Sequence, residues 1–287
     1  MIEVSLKPDK PTSLLVCYHI LCAPTERNTK HNPDVFEKLD SSLTNQEKDD
    51  YLTFLSIVAP NNTDRFRNHL FFPKYNTLDE FLNGTETRNI PKEIRESVKG
   101  FEKSFNSYWE NVEKEINPLM EDRLKLVKKY ITQIYELQEQ LTGETEIPRP
   151  DFLEIRIVEG LSPSSFGNKD HHPLHYIIQQ KRNYLDEGAF LRTIIHESNI
   201  HNIARLSANF HKQIFRRWIY EVEEGFVKTM TAKIYTQLTG NPTDYGGSKG
   251  TLEESGEIFN ANWDRLNGNF KPWYEDRLFE IKDKFNL

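Results

Sequence analysis

The segment PLMEDRLKLVKKYITQIYELQEQL, Pro118 to Leu141, limits what this chain can fold into more than any other stretch. Its apolar residues Met120, Leu124, Val127, Ile131, Ile134, Leu137 and Leu141 recur at intervals of three and four. That period belongs to a helix with one apolar stripe, and the stripe must be buried against other elements. Gly143 closes the run. Upstream, FEKSFNSYWENVEKEI places Phe101, Phe105, Trp109 and Val112 on one helical face, and Pro118 separates the two runs. From Pro91 to about residue 140 the chain is therefore predicted to be two long scaffold helices.

The pattern then changes. DFLEIRIVEG spaces Leu153, Ile155 and Ile157 by two with charged residues between them, which predicts a strand. SPSSFGNKDHHP reads as a loop and HYIIQQ as a second short strand. YLDEGAFLRTIIHESNIHNIARL reads as one long helix with Asp186 as its N-cap. Another helix, WIYEVEEGFVKTMTAKIYTQLTG, stops at Gly240 with Asn241-Pro242 behind it. DYGGSKG is a loop, and the tail from Leu252 to Leu287 is mostly helical. In the first 95 residues TSLLVCYHILCA is an apolar run that periodicity does not assign to helix or strand. NPDVFEKLDSSLTNQEKDDYLTFLSIVAP is helical in pieces, and NTLDEFLN offers a short helix capped by Asn76 or Thr77. The expected fold class is α+β, mainly helical, with a small β-sheet ahead of the helix that carries the chemistry. Residues 1–95, 96–145 and 146–287 form a mixed segment, a helical scaffold and the functional region of one continuous unit.

A net charge of −7 without a basic block argues against nucleic acid or an anionic membrane as partner. No run approaches the roughly 18 apolar residues of a membrane span, and MIEVSLKPDKP carries no apolar signal core, so a cytoplasmic location is expected. Cys17 and Cys22 are expected to be free, buried thiols; with His19 between them they make only a weak metal motif.

Chemistry concentrates in LRTIIHESNIHNIARL, where His196, Glu197 and His201 follow one another. A catalytic zinc ion takes three protein ligands, an open position and a neighbouring general base. Histidines four apart share a helical face, since four residues turn about 400°. Five residues turn about 500°, which splays the rings by about 140°. A π-bulge would restore alignment. Ser198 and Asn199, both weak helix formers, occupy the interval. The third ligand is expected from the next helix, where Glu221 and Glu224 lie three apart on one face and either could reach. Glu223 is expected to face solvent. The competing reading is an ordinary surface helix with incidental polar residues.

His196-Glu197, three residues and His201, with Glu223-Glu224-Gly225-Phe226 downstream, resemble the gluzincin metallopeptidases. The longer His-Glu-x-x-x-His form is similar to the dipeptidyl peptidase III family, whose third ligand is the second Glu of a Glu-Glu pair. The Glu-Gly-Phe-Val run looks like the Glu-Gly-Phe-Ala signature of gluzincin aminopeptidases. The resemblance covers about residues 150 to 240. It implies a zincin-like core holding one zinc ion on His196, His201 and Glu224, Glu197 as general base, and a peptide or protein substrate. The chain is much shorter than a dipeptidyl peptidase III and lacks the Gly-Ala-Met-Glu-Asn motif, so exopeptidase specificity is not implied. The family also implies a transition-state donor after the third ligand, for which Tyr245 and Tyr274 are the candidates.

Asp170, His171, His172 and His175 form a second polar cluster, read first as a loop, and His211 is a minor candidate. The expected function is a zinc-dependent peptidase. Its rivals are an inactive metal-binding module and a metal-free helical interaction protein.

Overall fold

The computed structural model describes residues 2–58, 77–83, 90–143, 149–160, 166–167, 176–198, 219–243, 251–266 and 269–285. It is mainly helical around one small sheet. The chain enters as strand β1 (Glu3–Pro8) and continues into helices α1 (Lys10–Cys22), α2 (Glu26–His31), α3 (Pro33–Leu39) and α4 (Asn45–Val58). Helix α5 (Leu78–Asn83) precedes the long α6 (Lys92–Ile116) and α7 (Met120–Thr142). Strands β2 (Phe152–Val158), β3 (Phe166–Gly167) and β4 (Tyr176–Gln180) follow, then α8 (Lys181–Leu185) and α9 (Glu187–Glu197). Helices α10 (Ile219–Thr239), α11 (Thr251–Ala261) and α12 (Phe270–Phe285) complete the described elements.

Local rules account for most boundaries. The apolar run at Leu14 to Cys22 is a helix because Asp9 caps it: its carboxylate accepts from the Thr12 amide at 3.0 Å and from the Thr12 hydroxyl at 2.9 Å. Thr77, one of the two caps expected for α5, accepts from the Glu80 amide at 3.1 Å. Asp186 accepts from the Ala189 amide at 2.5 Å and starts α9 as expected. Gly143 and Gly240 end α7 and α10 at φ 67° and 73°, where a side chain would be strained.

The sheet order is β1-β2-β4-β3, with β1, β2 and β4 parallel and β3 antiparallel at the edge. Register pairs Leu6 with Ile155 and Ile155 with Ile177, so one face of the sheet is apolar and joins the main core. Beyond the C-terminal ends of the strands the chemistry turns ionic. Arg156 bonds Asp9 at 3.2 Å, and Lys181 bonds Glu159 at 2.7 Å and Glu115 at 3.3 Å. The β1 strand was not visible in its own sequence, yet it places the N-terminal segment at the edge of the same sheet that leads into α9.

Helix α7 packs against β1, α9 and α10. Its buried side holds Val127, Ile131 and Ile134, with Gln138 and Thr142 continuing the same face. Cys17 and Cys22 are buried and unbridged, as the sequence predicts. No described helix is long and apolar enough to cross a membrane.

Candidate functional site

The apolar face of α9 supplies Phe190, Leu191, Ile194 and Ile195 to the core. Burying that face carries the following His196 and Glu197 inward as well: each is only 8% exposed. On α10 the run Val222 to Val227 is likewise buried, apart from Glu224, whose side chain is 31% exposed. Glu223 is 7% exposed, so the expectation that it faces solvent is not met. The dense aromatic packing around Phe226 sinks this turn of α10 deeper than its charge pattern suggests. Rings of Phe259, Trp263, Phe270, Trp273 and Tyr274 all lie 5.0 to 6.4 Å from that of Phe226.

Where α9 crosses α10, His196 Nε2 stands 3.5 Å from Glu224 Oε1. The two residues are 28 apart in sequence. Two donors each about 2.1 Å from one tetrahedral ion stand about 3.4 Å apart. The observed spacing therefore suits two ligands of one zinc ion. It also suits a direct ion pair when the imidazole is protonated. His196 and Glu224 thus match two of the three ligand positions in donor type and spacing; among the described residues alone, no group of three such side chains gathers around one point. His201, the remaining ligand position, lies outside the described residues, as does Tyr245. The Glu221 side chain lies outside them too, and so do Asp170, His171, His172, His175 and His211.

The path of the chain after Glu197 differs from the expectation of one long helix with an inserted residue. Helix α9 ends at Glu197, and Ser198 has φ −76° and ψ 89°. That ψ is far from helical, so the helix stops at Glu197; the rest of the interval to His201, where a widened turn is expected, lies outside the described residues. The negative end of the α9 dipole consequently falls at the His-Glu pair, a position that favours a cation.

A buried carbonyl leaving a helix must find another donor, and leaving it bare would cost about 1–3 kcal/mol. Gln138 of α7 provides the donor. Its Nε2 donates to Ser198 O at 2.5 Å and lies 3.3 Å from Ser198 Oγ, while Ser198 Oγ donates to Ile195 O at 2.9 Å. Gln138 and Ser198 are both fully buried. Gln138 was not singled out from the sequence, although a signal was present: it lies four residues beyond Ile134, in phase with the apolar stripe.

Tyr274 sits in the aromatic cluster of α10, α11 and α12, stacked 5.5 Å from Phe259 and 5.1 Å from Phe270, with no exposed surface. Burial, and secondarily the charge of Glu223, pushes its phenol well above the ordinary tyrosine value. In this arrangement Tyr274 faces core and the Glu223 side of α10; a substrate in solvent would not reach it.

In comparisons with protein-family models, curated proteins and solved structures, nothing matches this chain.

Proposed function

We propose that the chain is a zinc-dependent peptidase with a zincin-like core. The observation that carries the reading is the approach of His196 and Glu224 to 3.5 Å on two packed helices, at the spacing of two ligands of one ion. The resemblance carried by the Glu-Glu-Gly-Phe run points to the same Glu224. The small sheet supports the reading from a second side. Its edge strand β3 is antiparallel to β4, and β4 leads through α8 into α9. An antiparallel sheet edge offers an extended peptide a backbone to pair with.

In this proposal His196, His201 and Glu224 hold the ion, and β3 aligns the substrate. When bound, the zinc would act as a Lewis acid toward the peptide carbonyl and lower the pKa of a water. Glu197 follows His196 at the end of α9, largely withdrawn from solvent. Its carboxylate accepts the proton of the attacking water on one oxygen and delivers it to the departing amine nitrogen. The third carboxylate, Glu223, lies beside the ligand Glu224 and adds negative charge to that turn of α10, which favours a divalent cation nearby.

Metal content and cleavage of a fluorogenic peptide library test the reading. Wild type should retain close to one zinc per chain and cleave. Glu197→Gln should retain zinc and lose cleavage by about 10²-fold or more. His201→Ala and Glu224→Ala should lose zinc. A wild type without stoichiometric zinc defeats the proposal, and zinc without any cleavage would favour a metal-binding module that does no chemistry.

A further inference from the structure

We infer that the cleft between α1, α3 and α4 binds a small organic amine, with its apolar body inside the cleft and its ammonium at Asp49. The inference is independent of the zinc reading, since neither His196 nor Glu224 lines the cleft. The cleft has a volume of about 690 Å³, within the range of small-molecule sites. Leu21 and Cys22, the last residues of α1, line it together with Phe36 of α3. Helix α4 contributes Asn45, Lys48, Asp49 and Leu52, whose spacing of three and four puts them on one helical face. Leu52 is 44% exposed there, while Tyr51, Phe54 and Leu55 of the same helix are buried. Apolar surface exposed within a concavity is what the body of a ligand covers. Burial pushes the Cys22 thiol up to about 12, so at neutral pH it is uncharged and adds to the apolar wall.

Charge decides the head group. Two positive features border the cleft, and the protein neutralises both. At the N-terminus of α4 the Glu47 carboxylate accepts from the Thr44 amide and hydroxyl, each at 2.8 Å, and Thr44 Oγ accepts from the Glu47 amide at 3.2 Å. This capping box sets a negative charge on the positive end of the helix dipole. Lys48, the one cation among the lining residues, bonds Asp40 at 2.7 Å. The negative features are left uncompensated. Asp49 makes no ion pair among the described residues. The C-terminus of α1, the negative end of a 13-residue helix, lies at Leu21 and Cys22 on the facing wall. An anionic head group would meet Asp49 with Lys48 already engaged. A neutral one would gain only from the apolar wall. A cation gains from Asp49 and from the end of α1.

The test uses phenylbutylamine, phenylbutanol and phenylbutyrate, which share a body and differ in head group. Dissociation constants for the whole chain are measured by ligand-observed NMR titration at neutral pH and low ionic strength. The amine should bind about threefold tighter than the alcohol, the scale of one exposed charge pair, and the carboxylate more weakly than either. Asp49→Asn should erase the advantage of the amine over the alcohol. Asp50→Asn removes the same charge from the next position, which does not line the cleft, and should preserve that advantage. Thr29→Trp and, separately, Leu52→Trp place an indole in the cleft from exposed positions and should abolish binding of all three compounds. An amine that binds no tighter than the alcohol, or an advantage that survives Asp49→Asn, overturns the assignment of the head group. Binding that survives both tryptophan variants overturns the cleft as the site, and failure of all three compounds to bind wild type overturns the inference entirely.

Discussion

The approach of His196 to Glu224 has two physical explanations, and a double-mutant cycle separates them. The perturbations are His196→Ala, Glu224→Gln and both together, each unfolded thermally with saturating zinc and again with EDTA. If the pair shares an ion, zinc at 1,000 times its dissociation constant stabilises the native state by about 4.1 kcal/mol. Removing either ligand forfeits nearly all of that, and removing both forfeits no more, so the coupling between them is about 4 kcal/mol. For 287 residues an unfolding entropy of about 2.1 cal/mol/K per residue gives roughly 0.6 kcal/mol/K. The zinc-dependent part of the melting temperature is then about 7 °C. A direct ion pair gives a much smaller number. Glu224 is 31% exposed on its side chain, so solvent screens the pair and its coupling falls to about 0.2–1 kcal/mol, or under 2 °C. It would also exist only where the imidazole is protonated. At pH 7.5 the shared-ion account therefore predicts a coupling several-fold larger with zinc than with EDTA. A coupling that is small and insensitive to EDTA would refute it.

Two further predictions probe the frame that carries the site. Gly160 follows β2 at φ 83°, and a Cβ there would lie 2.8 Å from Cys17 Sγ and 3.2 Å from Val16 Cγ1, so Gly160→Ala should destabilise by about 2–4 kcal/mol in urea unfolding. Cys17→Ala in the same chain should recover the part due to the thiol but not the backbone part; additive effects of the two changes would show that the clash is not what matters. Lys181→Met strands the buried Glu159 carboxylate and should lower stability by about 3–5 kcal/mol at neutral pH, seen as a drop of about 5–8 °C. Burial alone would lower the Lys181 ammonium, but the charge of Glu159 and then Glu115 outweighs it and holds the pKa above the ordinary lysine value. A raised pKa means that this contribution is complete below about pH 10.4 and is lost as pH rises through the folded value. Wild type should therefore lose its advantage over Lys181→Met only in strong alkali, and an advantage that fades instead between pH 5 and 8 would contradict the assignment.

Long amphipathic patterns were the most legible part of the sequence. Phe101, Phe105, Trp109 and Val112 share the buried side of α6, and Val127, Ile131 and Ile134 that of α7. Those stripes are many turns long, so tertiary context has little room to override them. Strand β2 was legible at a period of two, and β4 as a short strand-like run. β1 was missed because Glu3, Ser5 and Lys7 alternate with only two apolar strand residues, Val4 and Leu6, and the pairing with β2 spans about 150 residues. The sequence offers the candidate site only as a set of residue types, of which the described residues bring His196 and Glu224 together. What escaped the sequence was backbone geometry. The chain leaves α9 at Ser198, and the donor that makes this possible comes from position 138, on another helix. Glu223 was misjudged because charge at one position says little about burial when Phe226 beside it draws the turn into an aromatic cluster.

Helix α7 ties these observations together. It touches β1, which anchors the sheet, and it packs on both α9 and α10, which bring His196 and Glu224 to one point. The spacing of those two side chains is set where α9 and α10 cross, and α7 packs against both of them. Ile131 and Ile134 give that surface its shape through packing, which tolerates exchange among similar volumes. Gln138 gives it a directed bond, which does not. A fold built this way separates two properties: changes along the apolar part of α7 act first on stability, and a change at Gln138, the buried polar residue that bonds Ser198 just beyond α9, acts first on how the backbone leaves Glu197. The fold thus depends on the whole stripe, while the backbone at Ser198 depends on one of the buried polar residues that continue it.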